Sequence, residues 1–191
     1  MNRFYILRRE SMQLHEQAIT QSTAYSGIIV NVRRDTVRLP NGNAAEREVV
    51  VHPGGVAILP LDEDGNVTLV KQFRYAGNQV LLEIPAGKLE IGETPEECGR
   101  KELREEVGFT AGRFELLSVM YPTMGYCTEK LHLYLARDLT FVSLQPEEDE
   151  FLEIVKMPLA KLIDMVVNGE IVDAKTALAA MVTEAWLKDG R

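Results

Sequence analysis

Residues 87–109 constrain this chain more than any other stretch. Thr94 is a good helix N-cap, Pro95 suits the first helical position, and Gly108 supplies a C-terminal stop after Val107. The spacing therefore predicts a helix over 95–107, entered from a strand that ends at Pro85-Ala86-Gly87. At roughly 100° per residue, Glu102, Glu105 and Glu106 fall at about 0°, 300° and 40°, within one arc of about 100°. Like charges so close repel one another and weaken a helix unless cations compensate them. Carboxylate oxygens are hard ligands suited to Mg²⁺ or Mn²⁺, whereas zinc favours Cys and His. Cys98 and Gly99 fall near the same arc, and their small side chains imply either close packing or room for a ligand. Taken alone, the acidic arc also reads as an ordinary solvated helix face.

An α/β alternation surrounds this helix. Strands are expected at 27–32, 36–39 and 47–51, with Pro40-Asn41-Gly42-Asn43 as a turn. His52-Pro53-Gly54-Gly55 punctuates the chain, so a small N-terminal β-sheet subdomain is expected over 1–52 and the main domain over 53–191. Further strands are expected at 56–60, 67–71, 80–84, 114–121, 130–136 and 151–157. Two helices are expected to close the chain, 159–168 and 173–188. The second would turn Ala177, Leu178, Met181, Ala185 and Trp186 toward one face.

A chain of 191 residues with 46% hydrophobic and 26% charged residues can bury a proper core. Its net charge of −8 argues against a nucleic-acid binder, which needs clustered Lys and Arg, but not against a small phosphorylated ligand bridged by cations. Two cysteines, Cys98 and Cys127, suggest neither a disulfide framework nor a zinc site. The start, MNRFYILRRESMQLHEQ, carries no apolar signal core, and no stretch is long and apolar enough to span a bilayer. A reduced, cytoplasmic protein is expected.

The pattern Gly87, Glu93, Lys101-Glu102-Leu103, Glu105-Glu106 and Gly108-Phe109 resembles the Nudix box, the signature of the Nudix hydrolases. One defined position departs, with Lys101 where the family has arginine. The resemblance extends to bacterial ADP-ribose pyrophosphatases through Leu39-Pro40-Asn41-Gly42, Val70-Lys71-Gln72-Phe73-Arg74, Glu83-Ile84-Pro85-Ala86-Gly87, Glu148-Asp149-Glu150 and Asp173-Ala174-Lys175-Thr176. It implies an α/β (α+β) fold, a Nudix α/β/α sandwich with a mixed sheet, preceded by the small antiparallel sheet.

The resemblance also implies an activity, Mg²⁺-dependent hydrolysis of a nucleoside diphosphate sugar, with ADP-ribose split into AMP and ribose 5-phosphate. The main-chain oxygen of Ala86 and the carboxylates of Glu102, Glu105 and Glu106 would hold Mg²⁺, or Mn²⁺ in its place. Those ions would draw charge from the diphosphate. Arg47, Arg74 and Gly87 would meet the substrate, the arginines through forked hydrogen bonds. Arg47 would reach a neighbouring subunit's site, which implies a homodimer. A carboxylate outside the metal shell must activate water. The run Pro146-Glu147-Glu148-Asp149-Glu150 makes Glu148 the first choice and Glu150 the second, while Glu105 counts among the catalytic carboxylates as well as the ligands. In the family the box arginine braces the first box glutamate. Lys101 would brace Glu93 with a charge but without a fork. Tyr25 or Phe73 would stand in for the aromatic that stacks the base. Competing readings are another nucleotide-sugar hydrolase, such as one for GDP-mannose, and a non-catalytic ADP-ribose sensor. The retained glutamates and the missing basic helix argue against the sensor.

Overall fold

The computed structural model describes residues 13–144 and 151–190. The chain divides into two compact units, one running to His52 and including Thr123–Thr128, the other made of Pro53–Pro122 and the segment from Glu129.

The first unit is an antiparallel meander of β1 (Gln17–Ser26), β2 (Asn31–Arg38) and β3 (Ala44–Val51). Its first strand corrects the expectation of a strand over 27–32. The apolar run Gly27-Ile28-Ile29-Val30 is instead the hairpin tip, where Gly27 N–H donates to the Val30 carbonyl at 3.0 Å and Ile28 is fully exposed. The polar stretch before it pairs with β2 from Ser26↔Asn31 to Gln17↔Arg38, so the β-branched run is left to turn. Between β2 and β3 the expected turn forms, with Gly42 at φ +87° and the Asn43 N–H donating to the Asn41 side chain at 3.0 Å. Thr123–Thr128 joins this unit by main-chain bonds, the Val50 N–H donating to the Tyr126 carbonyl and the Thr128 N–H to the Val50 carbonyl.

The second unit is built around β4 (Gly55–Pro60), a strand buried at every position. Side chains alternate across a strand, so such a strand must be covered on both faces. Ala57 and Leu59 face a cluster with Leu69, Leu133, Leu162 and Ala180, while Val56 and Ile58 face one with Cys98, Leu103, Val107 and Tyr134. α1 (Pro95–Val107) therefore covers one face, and α2 (Leu159–Val167) with α3 (Ala174–Lys188) covers the other. The result is the expected α/β/α arrangement. β7 (Ala86–Lys88), β4, β9 (Leu131–Phe141) and β8 (Phe109–Met120) form a mixed sheet in that order, with β4 and β9 parallel. β10 (Glu153–Pro158), β5 (Asn66–Arg74) and β6 (Gln79–Glu83) form a second, antiparallel sheet.

α1 starts and stops where its caps demand. The Glu97 N–H donates to Thr94 Oγ1 at 3.3 Å, the Thr94 N–H donates back to the Glu97 carboxylate at 2.9 Å, and Gly108 closes the helix at φ +77°. α3 departs from expectation. Its fully buried residues are Thr176, Ala179, Ala180 and Thr183, whereas Met181 is 41% exposed. Small residues let the helix lie close to the sheet, and Ala177, Leu178, Val182 and Trp186 pack at the margins of the contact.

Candidate active site

β7 and α1 enclose a cleft of about 460 Å³ whose lining includes Ala86, Gly87, Glu90, Lys101, Glu102 and Glu105. Pro85 ends the run from β6 and lets the chain turn into the short β7, whose main chain then faces α1. The approach is close. A Cβ on Gly87 would lie 2.0 Å from the Glu102 carboxyl carbon, so that carboxylate occupies the place a side chain would take. One turn further on, Glu106 is only 4% exposed and its carboxylate accepts the Ala86 N–H at 3.2 Å. Two carboxylates at i and i+4 are thus set against β7, and Glu105 lines the cleft beside them.

Oxygen donors of this kind suit a hard divalent ion. Among the described residues no three His, Cys, Asp or Glu side chains stand close enough to hold an ion by themselves. Main-chain and ligand oxygens would have to complete any such site.

Cys98 and Gly99 do not open onto the cleft, which corrects the reading of room for a ligand. Cys98 is fully buried in the core beneath α1, and burial pushes its thiol up to about 12. A Cβ on Gly99 would meet the Phe114 ring at 2.8 Å, so this glycine serves helix–sheet packing. The Phe114 ring stacks on Tyr134 at 4.6 Å and lies under the Arg100 guanidinium at 4.7 Å.

Lys101 sits between two carboxylates. Its ammonium is 3.1 Å from Glu90 and 3.8 Å from Glu93, so the tighter contact is with Glu90 rather than with the expected Glu93. A single ammonium can settle between acceptors where a planar guanidinium would bridge one of them squarely. Burial pulls the Lys101 ammonium down, but the Glu90 hydrogen bond and the charges of Glu93 and Glu102 outweigh it and hold the group above its ordinary value.

Arg74 closes β5 and lays Nε and Nη2 on the two oxygens of Glu83, both at 2.8 Å. Glu83 is 1% exposed and also takes the ammonium of Lys175, which is 3.0 Å from Asp173. Burial alone would raise the Glu83 carboxyl, but Arg74 and Lys175 hold it below the usual range. The Glu83 fork, followed by the charges of Glu106 and Asp173, raises Arg74. Sequence reasoning assigned no role to Glu83 or Lys175. The signal was present as one carboxylate inside the apolar run Val80-Leu81-Leu82-Glu83-Ile84, because a buried charge needs a partner.

Arg47, on β3 of the N-terminal unit, forks onto Glu16 at 2.9 and 2.7 Å and donates to the Glu46 carbonyl at 2.9 Å. Of the two aromatic substitutes, Tyr25 is 59% and Phe73 52% exposed. Phe73 lines an open hollow of about 490 Å³ with Lys71, Val80 and Phe151. Glu148 and Glu150 lie outside the described residues.

Comparison with known proteins sets this geometry in a family. The NUDIX domain model matches residues 51–177, and a model described as nucleoside diphosphate sugar hydrolase N-terminal domain matches residues 16–50. An ADP-ribose pyrophosphatase of Bacillus subtilis (strain 168) is 40% identical over 168 residues, covering 87% of this chain and 91% of the relative. A methanol dehydrogenase activator of Bacillus methanolicus is 34% identical, covering 86% and 90%. A crystal structure of an ADP compounds hydrolase superposes with a TM-score of 0.84 at 24% identity, covering 95% of this chain and 98% of that one, which establishes the fold. Cleft, acidic helix and sequence likeness together make this chain a member of the Nudix hydrolases, an enzyme of the ADP-ribose pyrophosphatase type.

Proposed function

We propose that the chain hydrolyses ADP-ribose with Mg²⁺, adding water across the diphosphate to release AMP and ribose 5-phosphate. The observation that carries this reading is the Glu102 carboxylate seated over Gly87, with Glu106 bonded to the neighbouring Ala86 N–H. The Ala86 main-chain oxygen and Glu102, Glu105 and Glu106 would hold Mg²⁺, with Mn²⁺ a possible substitute. When bound, the ion draws charge from the diphosphate and stabilises the leaving phosphate. Arg74, through Nη1, and Arg47, through its fork, would offer donors to the phosphates or the terminal ribose. Gly87 would meet the substrate through its main chain, beside the Glu102 carboxylate that fills the place of its missing side chain.

Glu148 is proposed as the base that takes a proton from the attacking water, with Glu150 second. Residues 1–52 are proposed as a dimerisation subdomain and 53–191 as the hydrolase domain, in a cytoplasmic homodimer whose subunits share active sites. The net charge of −8 argues against nucleic acid as the substrate and is compatible with a small phosphorylated ligand bridged by cations. No described helix is long and apolar enough to cross a membrane.

The likeness to an ADP-ribose pyrophosphatase over 87% of the chain puts ADP-ribose first among the substrates to assay. A panel of ADP-ribose, GDP-mannose, NADH and dinucleoside polyphosphates with Mg²⁺, scored for released monophosphate, should give ADP-ribose the highest kcat/KM. Faster turnover of GDP-mannose would transfer the assignment to that sugar. In the same assay Gly87→Ala should lose about 100-fold, because the new methyl displaces the Glu102 carboxylate by an ångström or more. Glu148→Gln should lose turnover while still binding ADP-ribose, and full activity there would move the base to Glu150.

A further inference from the structure

We propose that Lys175, at the start of α3, is a positioning residue that holds Glu83 so that Arg74 presents its charge to the substrate diphosphate. The inference rests on the ADP-ribose pyrophosphatase reading and adds a residue outside the Nudix helix. Four charges run in alternating sign from Asp173 through Lys175 and Glu83 to Arg74. The chain is polarised. Its negative end, Asp173, caps α3 by accepting the Thr176 N–H at 3.0 Å, and its positive end, Arg74, has a side chain 43% exposed.

Lys175 determines what Arg74 can do. A guanidinium forked onto one buried carboxylate is close to neutral from a distance and offers a phosphate little. With Lys175 on the same carboxylate, Glu83 is shared between two cations, and Arg74 retains a net attraction for an anion. Without Lys175, two carboxylates, Glu83 and Asp173, would stand behind Arg74 with no cation between them. The Arg74 fork uses Nε and Nη2, which leaves Nη1 as the donor for a ligand. The same turn of α3 also fixes the main chain leading to the cleft, since Thr176 Oγ1 accepts the Ile84 N–H at 2.9 Å, two residues before Ala86. Glu83 and Ile84 are thus both tied to one helix turn, and Arg74 is aimed from a rigid base.

The test is calorimetric titration of the full chain with α,β-methylene ADP-ribose, which binds without being cleaved. Lys175→Met should weaken binding about 30-fold and Lys175→Arg should recover most of it. In an Arg74→Gln background, Lys175→Met should cost little more, because the lysine acts through the arginine. Lys175→Gln, which keeps a donor for Glu83 without the charge, is titrated in parallel and should also bind weakly, so that one misfolded variant does not decide the result. Unchanged affinity in Lys175→Met or Lys175→Gln, or the same 30-fold loss repeated on Arg74→Gln, would overturn the role of Lys175 alone. Failure of the unaltered protein to bind the analogue would sink the substrate reading itself.

Discussion

Arg74 and Arg47 each lay Nε and Nη2 on the two oxygens of one glutamate, with closely similar distances and nearly equal exposure, 43% and 42%. What lies behind each fork differs. Glu83 is 1% exposed, ends a strand of the hydrolase unit and shares Lys175, whereas Glu16 is 35% exposed and precedes the first strand of the N-terminal sheet. A carboxylate that has lost its water cannot release its cation without a large penalty, while one at the surface exchanges its partner for water or another anion. The first fork is therefore part of the scaffold, while the second is an exposed latch, free to exchange its partner. A hydrogen-bond distance alone does not separate the two roles. Burial of the acceptor does.

The sharpest way to break this comparison is to neutralise the buried acceptor. Glu83→Gln leaves Arg74 and Lys175 facing an uncharged amide, and removing one partner of a buried ionic cluster costs about 3–5 kcal/mol. Urea unfolding should show a loss of that size, with kcat/KM for ADP-ribose falling as well because the base of Arg74 loosens. Stability within a few tenths of a kcal/mol of the unaltered protein would show that the two forks are equivalent after all.

Glu83 could be found in the sequence because it interrupts an apolar run, and the bounds of α1 could be read because caps are a local code. Thr94, Pro95 and Gly108 act on their own turns and need nothing distant. Gly27–Val30 misled for the opposite reason. Its β-branched residues suit a strand, but a strand exists only where another pairs with it, and the stretch that pairs with β2 on this side is the polar, wholly exposed Gln17–Ser26. On α3 the error came from weighting large apolar residues, whereas close approach to the sheet selected Ala179, Ala180, Thr176 and Thr183. Cys98 and Gly99 misled in the same way, since small residues on a helix mark a tight neighbour as readily as an open site. Lys175 was invisible because its partner lies 92 positions away and joins it only through the tertiary fold.

Acid titration sharpens the contrast. Glu83 is held below the usual carboxylate range, so its contribution to stability is complete above the unfolded value, near pH 4.3, and is lost as pH falls through the folded one. Urea midpoints taken from roughly pH 5 down to pH 3 should fall steeply in the unaltered protein and less steeply in Glu83→Gln, which has no proton to take up there. Parallel slopes would mean that other depressed carboxylates, such as Asp62 and Glu97, account for the acid sensitivity.

The smallest effect should come from the exposed latch. Glu16 is also held below its ordinary value by the Arg47 hydrogen bond, but it sits in water, so Glu16→Gln should leave the urea midpoint unchanged. Its consequence belongs to binding. With the latch removed, Arg47 no longer has to give up a carboxylate before it can take a phosphate, so KM for ADP-ribose should fall about twofold with kcat unaltered. The gain should fade at high salt, where surface charges are screened. Arg47→Gln, by contrast, should raise KM, and combining it with Glu16→Gln should add nothing further. A KM indifferent to both substitutions would remove Arg47 from the substrate site and leave Arg74, through Nη1, as its arginine donor.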